Sequence, residues 1–133
     1  IGPVRQVVEY GLREIEPQKI DMGIPNYGYD WPLPYERGVT RATSIGNLYA
    51  VELARRYDQS ILYDTAAASP WFRYETDGQT HEVWFEDVRS LQAKFELVGE
   101  KELRGVGYWN LMRPFRPNWL LLNAMFRIKG PET

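Results

Sequence analysis

Residues 19–31 read KIDMGIPNYGYDW. Ile20, Met22 and Ile24 alternate with Asp21 and Gly23, the two-residue period of a β-strand. The stretch then runs out into what reads as a Gly- and Pro-containing loop carrying Tyr27, Tyr29 and Trp31. Upstream, Val4, Val7, Val8, Leu12 and Ile15 follow helical spacing, with Pro3 in the first turn and Pro17 as the stop. A helix leading directly into a strand is the second half of a βαβ unit.

Downstream, residues 32–46 carry Pro32, Pro34, Gly38 and Gly46 and read as a loop. Asn47 is placed to cap a helix over about 47–57, with Leu48, Val51, Leu53 and Ala54 on its apolar side. Short strands are expected at 61–64, 71–76 and 80–86, the last two joined by the hairpin pair Asp77-Gly78. Asp87 can cap a helix with the stripe Val88, Leu91, Phe95 and Val98. Residues 106–109 read as a short buried strand, and 119–126 as a terminal core-facing helix. Removing the middle α+β unit leaves two helix–strand units arranged for a parallel sheet. Two such strands cannot close an eight-stranded barrel.

Composition narrows the function. The 133 residues carry a net charge of −2 and no basic run, so nothing points to nucleic acid. The absence of cysteine excludes a disulfide framework and a thiolate metal site. The one histidine, His81, argues against a His-based metal site or a Ser-His-Asp triad; beside a turn it reads as solvated. No apolar run approaches the roughly 20 residues that span a bilayer. The chain opens at Ile1 without an initiator Met, as a processed or excised piece would. Five Trp and nine Tyr exceed what a core of this size needs, and such side chains suit stacking on sugar rings; a well-packed core is the other use for them.

Carbohydrate chemistry usually requires paired carboxylates. Glu82 and Glu86 share a strand face but would stand about 13 Å apart, too wide for a retaining or an inverting pair. Asp87 is accounted for by capping. Asp30 could hold a sugar hydroxyl or form a turn. Asp21, in the middle of a buried strand, needs a partner or water. Gly105-Val106-Gly107 reads as close packing within a strand, not as a phosphate loop, and Ala66 to Ser69 as a small-residue turn.

These residues resemble family 18 glycoside hydrolases. Gly23, Ile24, Pro25, Asn26, Tyr27 and Gly28 match the Gly-x-Pro-x-Tyr-Gly core of that family's seventh barrel strand. EVWFED followed by VRSLQAKFELV is similar to the lead-in and seventh helix, and GVGYW to the eighth strand ending in its Trp. YGYDWPLPY, NLYAVELARRY and NWLLLNAMF resemble the bacterial spore-germination subgroup, whose members often carry LysM modules and act on peptidoglycan. Asn26 stands where an apolar residue or Thr is usual, and Asp21 where an aliphatic is common. The family's acidic signature, Asp-x-x-Asp-x-Asp-x-Glu, has no match in the chain.

The resemblance implies an α/β fragment of a TIM-barrel glycosidase, the last quarter to half of a catalytic domain. Residues 1–31 would be a barrel helix–strand segment, 32–81 an α+β insertion with an antiparallel meander, and 82–133 a lead-in strand, helix, strand and terminal helix. It implies that Trp109 floors the subsite of the reacting sugar and that Tyr27 and Tyr29 line the same cleft. The parent would cleave glycans containing N-acetylglucosamine, peptidoglycan or chitin-like, by substrate-assisted retaining hydrolysis. This chain, lacking the acid, would supply wall and platform without catalysis, metal or cofactor. A spore, envelope or secreted location follows from the same resemblance. The alternatives are a non-catalytic carbohydrate-binding or structural module, and a partial domain that pairs with a second copy through an exposed strand edge.

Overall fold

The computed structural model describes residues 1–128; residues 129–133, which the sequence reading assigns to the end of the third segment, lie outside the described residues. Helix α1 (Gly2–Gly11) and a 3-10 turn (Pro17–Lys19) precede β1 (Asp21–Pro25). Then follow β2 (Tyr27–Pro32), β3 (Thr43–Gly46), α2 (Asn47–Arg56), β4 (Leu62–Asp64), β5 (Ser69–Thr76) and β6 (Gln79–Trp84). The chain continues through α3 (Val88–Glu100), β7 (Gly105–Trp109) and α4 (Arg116–Met125).

The strands form two sheets, and the chain is mixed α/β. β1 and β7 pair in parallel, with Asp21 opposite Gly105 and Pro25 opposite Trp109. The other five make an antiparallel sheet in the order β3-β2-β6-β5-β4, in which β4, β5 and β6 form the expected meander. Each sheet has its own core. Met22 and Ile24 of β1 pack with Leu91, Phe95 and Val98 of α3, Val8 of α1 and Phe115. Ile45, Phe72, Tyr74, Val83 and Phe85 pack with Ala50, Leu53 and Ala54 of α2. Among the described residues β1 has no partner on its second edge, where Val4, Val7, Ile15, Ile20 and Met22 line an open apolar groove of about 500 Å³.

The structure corrects the opening stretch. Its aromatic half is not a loop but strand β2, bonded to β3 on one side and β6 on the other. Gly28 and Asp30, which looked like turn residues, occupy the inward positions, while Tyr27, Tyr29 and Trp31 point to the other face. Gly28 is required by close approach: a Cβ there would lie 2.5 Å from Phe85 Cβ and 2.8 Å from Phe85 Cα. Both belong to backbone-anchored core, so Gly28→Ala is expected to cost about 1–3 kcal/mol by overpacking. Thermal denaturation checks it, and an unchanged midpoint would mean that β6 can retreat.

Other elements shift for local reasons. The last residues of the expected 32–46 loop form β3 on the free edge of β2. Helix α1 stops at Gly11, and Leu12 to Ile15 make turns instead of a last helical turn. Asn47 does not cap α2. Gly46 is the N-cap, and the buried Asn47 side chain accepts a hydrogen bond from the Glu86 N–H at 3.0 Å. The terminal helix begins earlier than expected, at Arg116, and faces the first core through Leu121 and Leu122. Asp87 caps α3 as anticipated, in a reciprocal box with Ser90.

One surface contact ties α1 to α3. The two terminal guanidinium nitrogens of Arg5 donate to the Glu100 carboxylate, at 2.5 and 2.8 Å. The Arg5 hydrogen bond is the main cause that brings Glu100 from its ordinary 4.5 down to about 2, with Lys101 adding to it. A carboxylate depressed on folding contributes stability above its unfolded value and loses it as pH falls through the folded one. The wild-type melting temperature is therefore expected to fall between pH 4.5 and about 2, and Arg5→Gln to flatten that limb. Added salt should flatten it too, because both side chains are exposed.

Candidate functional site

On one face of the parallel pair β1 buries Met22 and Ile24, while Val106 and Tyr108 of β7, expected from the sequence to be buried, are only half-buried; the other face lies open. That other face carries Asp21, Gly23 and Pro25 opposite Gly105, Gly107 and Trp109. A Cβ at Gly23 or Gly107 would meet nothing, so Gly107 does not serve the close packing read from the sequence. Trp109 stands at the C-terminal end of this face with 72% of its surface exposed in this chain. The strand beneath it is pinned from the opposite side: Tyr108 packs on Trp119 at 4.8 Å and donates to Asn118 Oδ1 at 3.1 Å.

Asn26 fixes the backbone at Trp109. Its N–H donates to the Trp109 carbonyl at 2.8 Å, and its Nδ2 to the Asn110 carbonyl at 3.2 Å. An apolar residue could not make the second bond. Asn26 is buried, and its Oδ1 finds no donor among the described residues. The Trp109–Asn110 peptide bond is cis. An amide at a strand end was the available signal for this clamp, which sequence reasoning read only as a departure from a pattern.

Tyr27 and Tyr29 lie on one face of β2, ring centroids 5.6 Å apart and edge to face. Tyr29 is exposed and Tyr27 half-buried. Both line an open groove of about 280 Å³ together with Pro25, Trp84 and Glu86, and Pro25 is the residue opposite Trp109 in the parallel pair.

The acidic candidates are already engaged. Glu86 lies beyond β6 and is buried against α3, where Lys94 Nζ reaches both its oxygens at 2.7 and 2.9 Å and Ser90 Oγ donates at 2.6 Å. Glu82, on β6, accepts from Trp84 Nε1 and Arg73 Nε at 2.7 and 2.8 Å. Asp21 is paired with Arg104 at the surface, which answers why a carboxylate is tolerated on that strand. Asp30 neither forms a turn nor faces a cleft. It is buried in the second core, accepting from Tyr74 OH at 2.5 Å and contacting His81 Nδ1 at 2.8 Å. His81 is thus not simply solvated, and it stacks on Tyr74 at 4.9 Å. Burial first, and then the Asp30 bond, push the Tyr74 hydroxyl well above the usual phenol range. Among the described residues no three His, Asp or Glu side chains are placed to hold a metal ion, and no helix is long and apolar enough to cross a membrane.

The frame is mixed α/β, with an exposed Trp at the C-terminal end of a parallel strand and an aromatic-lined groove nearby. The family model for glycosyl hydrolases family 18 matches residues 4–113, and the chain belongs to that family. It is 50% identical over 129 residues to the cortical fragment-lytic enzyme of Bacillus subtilis (strain 168), covering 96% of this chain and 30% of that protein. The crystal structure of the Bacillus megaterium QM B1551 spore cortex-lytic enzyme SleL superposes with a TM-score of 0.91 at 52% identity, over 96% of this chain and 30% of that one. A chitinase from Chromobacterium violaceum ATCC 12472 is similar at 28% identity and a TM-score of 0.78, over 89% and 36% of the two chains. The chain thus spans about 30% of the length of the first of these relatives.

Proposed function

We propose that this chain is the C-terminal part of a family 18 glycosidase domain and supplies the platform and wall that hold an N-acetylglucosamine-containing glycan. The observation that carries this reading is Trp109, exposed at the C-terminal end of β7 and clamped by Asn26. Indole faces stack on the C–H faces of pyranose rings, and active sites of barrel enzymes gather at the C-terminal ends of the strands. Tyr27 and Tyr29 would extend the wall. β1 and β7 are read as the seventh and eighth strands of a barrel, with the segment between β1 and α3 as an insertion.

Hydrolysis would be substrate-assisted. The sugar's N-acetyl oxygen attacks C1 while an acid outside this chain protonates the leaving oxygen, and water then opens the cyclic intermediate with net retention. Glu82, Glu86, Asp21 and Asp30 are all tied into bonds of their own, so none is free to serve as that acid, and the chain alone would not hydrolyse glycan. The relatives named for cortical fragments and the spore cortex favour peptidoglycan of the spore or envelope as the parent's substrate. The rest of the barrel would cover the free edge of β1 and its apolar groove. A second copy is the competing occupant, and sedimentation at high concentration separates the two.

Titration of the folded chain with N-acetylglucosamine oligomers and with peptidoglycan fragments, followed calorimetrically, tests the reading. Saturable binding is expected. No heat of binding at millimolar ligand would remove the platform role from this chain.

A further inference from the structure

The face of the antiparallel sheet turned away from its core carries a file of aromatic rings that extends well beyond the Trp109 site. Tyr27, Tyr29 and Trp31 alternate along β2 and therefore project together. Tyr29 and Trp31 lie 6.0 Å apart, and Tyr35 continues the file 5.7 Å from Trp31. Cross-strand register sets Trp84 beside Tyr29 and Glu82 beside Trp31. Behind them Trp71 stacks on Trp84 at 5.6 Å and 16°, and Arg73 lies opposite Glu82. Trp31, Leu33, Tyr35, Glu82 and Trp84 bound an open groove of about 270 Å³.

The chemistry of this groove selects its occupant. Glu82 is oriented by Trp84 Nε1 on one oxygen and by Arg73 on the other, so the carboxylate is fixed before any ligand arrives. Its charge and that of Arg73 cancel, which leaves no attraction for an anion or a cation. A carboxylate has about four acceptor positions, and among the described residues the two oxygens of Glu82 meet only these partners, so acceptor capacity remains. Flat rings around a fixed, charge-balanced acceptor fit a neutral ring with C–H faces and a rim of hydroxyls. An apolar helix would instead be left facing a desolvated ion pair. The file is also continuous with the first site: Tyr27 follows Asn26, whose N–H bonds the Trp109 carbonyl.

We propose that the groove between Trp31, Tyr35 and Trp84 is a second sugar-binding subsite, taking a further pyranose ring of the same glycan. The proposal rests on the reading of the chain as a glycan wall. It adds that the chain grips a long glycan at two places and so discriminates by length.

The test uses the full chain with 15N-labelled tryptophan, its five indole N–H signals assigned by single Trp→Phe variants. N,N′-diacetylchitobiose is expected to move the Trp109 signal, with Trp84 following because it borders both grooves, and to leave Trp31 unmoved. The N-acetylglucosamine hexamer is expected to move Trp31 as well and to bind about tenfold more tightly. Trp31→Ala should abolish that gain without altering disaccharide affinity. Tyr35→Ala, at a residue 58% exposed, should do the same without touching the core. A hexamer that leaves Trp31 unmoved, or keeps its full affinity for both variants, would overturn the second subsite and leave the platform standing. A shift at Trp31 without one at Trp109 would support the subsite and overturn the platform. No shift with either ligand would overturn both.

Discussion

Glu86→Leu is expected to be among the most destabilising single substitutions in this chain. Glu86 and Lys94 are 7% and 8% exposed, and they are joined by two hydrogen bonds. Ser90 adds a third bond to the carboxylate, and the Glu86 N–H is held by Asn47 of α2. The cluster therefore knits α3 to α2 and to the end of β6. Removing the carboxylate leaves a buried ammonium ion without a counter-charge, which costs about 3–5 kcal/mol. For a domain stabilised by about 5–15 kcal/mol in total, that is a large share. Lys94→Met should lose a similar amount for the mirror reason. The double variant Glu86→Leu/Lys94→Met should recover much of the loss, since two apolar side chains leave neither charge stranded. Urea midpoints for the four proteins form the double-mutant cycle. Single variants within about 1 kcal/mol of wild type would mean that water reaches the pair.

Trp109→Ala should have the opposite profile: stability intact and binding lost. An indole with 72% of its surface exposed contributes little to the fold, so the unfolding free energy should stay within about 0.5 kcal/mol of wild type. On binding, one ring face is covered by sugar. At about 25 cal/mol per Å² of apolar surface, covering 60–120 Å² of it yields about 1.5–3 kcal/mol, or roughly ten- to a hundredfold in affinity. Isothermal titration with N-acetylglucosamine oligomers reads this directly. Trp109→Phe should keep part of the affinity, because a smaller aromatic face remains. An alanine variant that binds as wild type would locate the glycan elsewhere.

The parallel pair, the meander and the capped helix α3 were legible because each rests on a local signal: the alternation through Met22 and Ile24, the Asp77-Gly78 turn, and Asp87 before an apolar stripe. Strand β2 was not, because its inward residues are Gly28 and Asp30. Gly is there for lack of space, and Asp30 is satisfied by Tyr74 and His81, residues 44 and 51 positions away. Local propensity reports neither a close approach nor a distant partner. The same reasoning explains Asn47, read as a cap from its neighbours but recruited by a backbone N–H 39 residues on. Trp109 was marked by its motif, whereas its clamp Asn26 shows only once β1 and β7 lie side by side. The second aromatic groove depends on the cross-strand register of β2, β5 and β6, which no single stretch encodes.

His81 has a further consequence of a practical kind. It is the chain's one histidine, and its half-buried imidazole packs between Asp30 and Tyr74 at the edge of the core built around α2. The other core, around α3, contains none. The imidazole proton resonances are therefore a native, unlabelled spectroscopic reporter of one core alone. Followed through a thermal melt beside total helicity, they would tell whether the two halves of the molecule come apart as one cooperative unit or in succession.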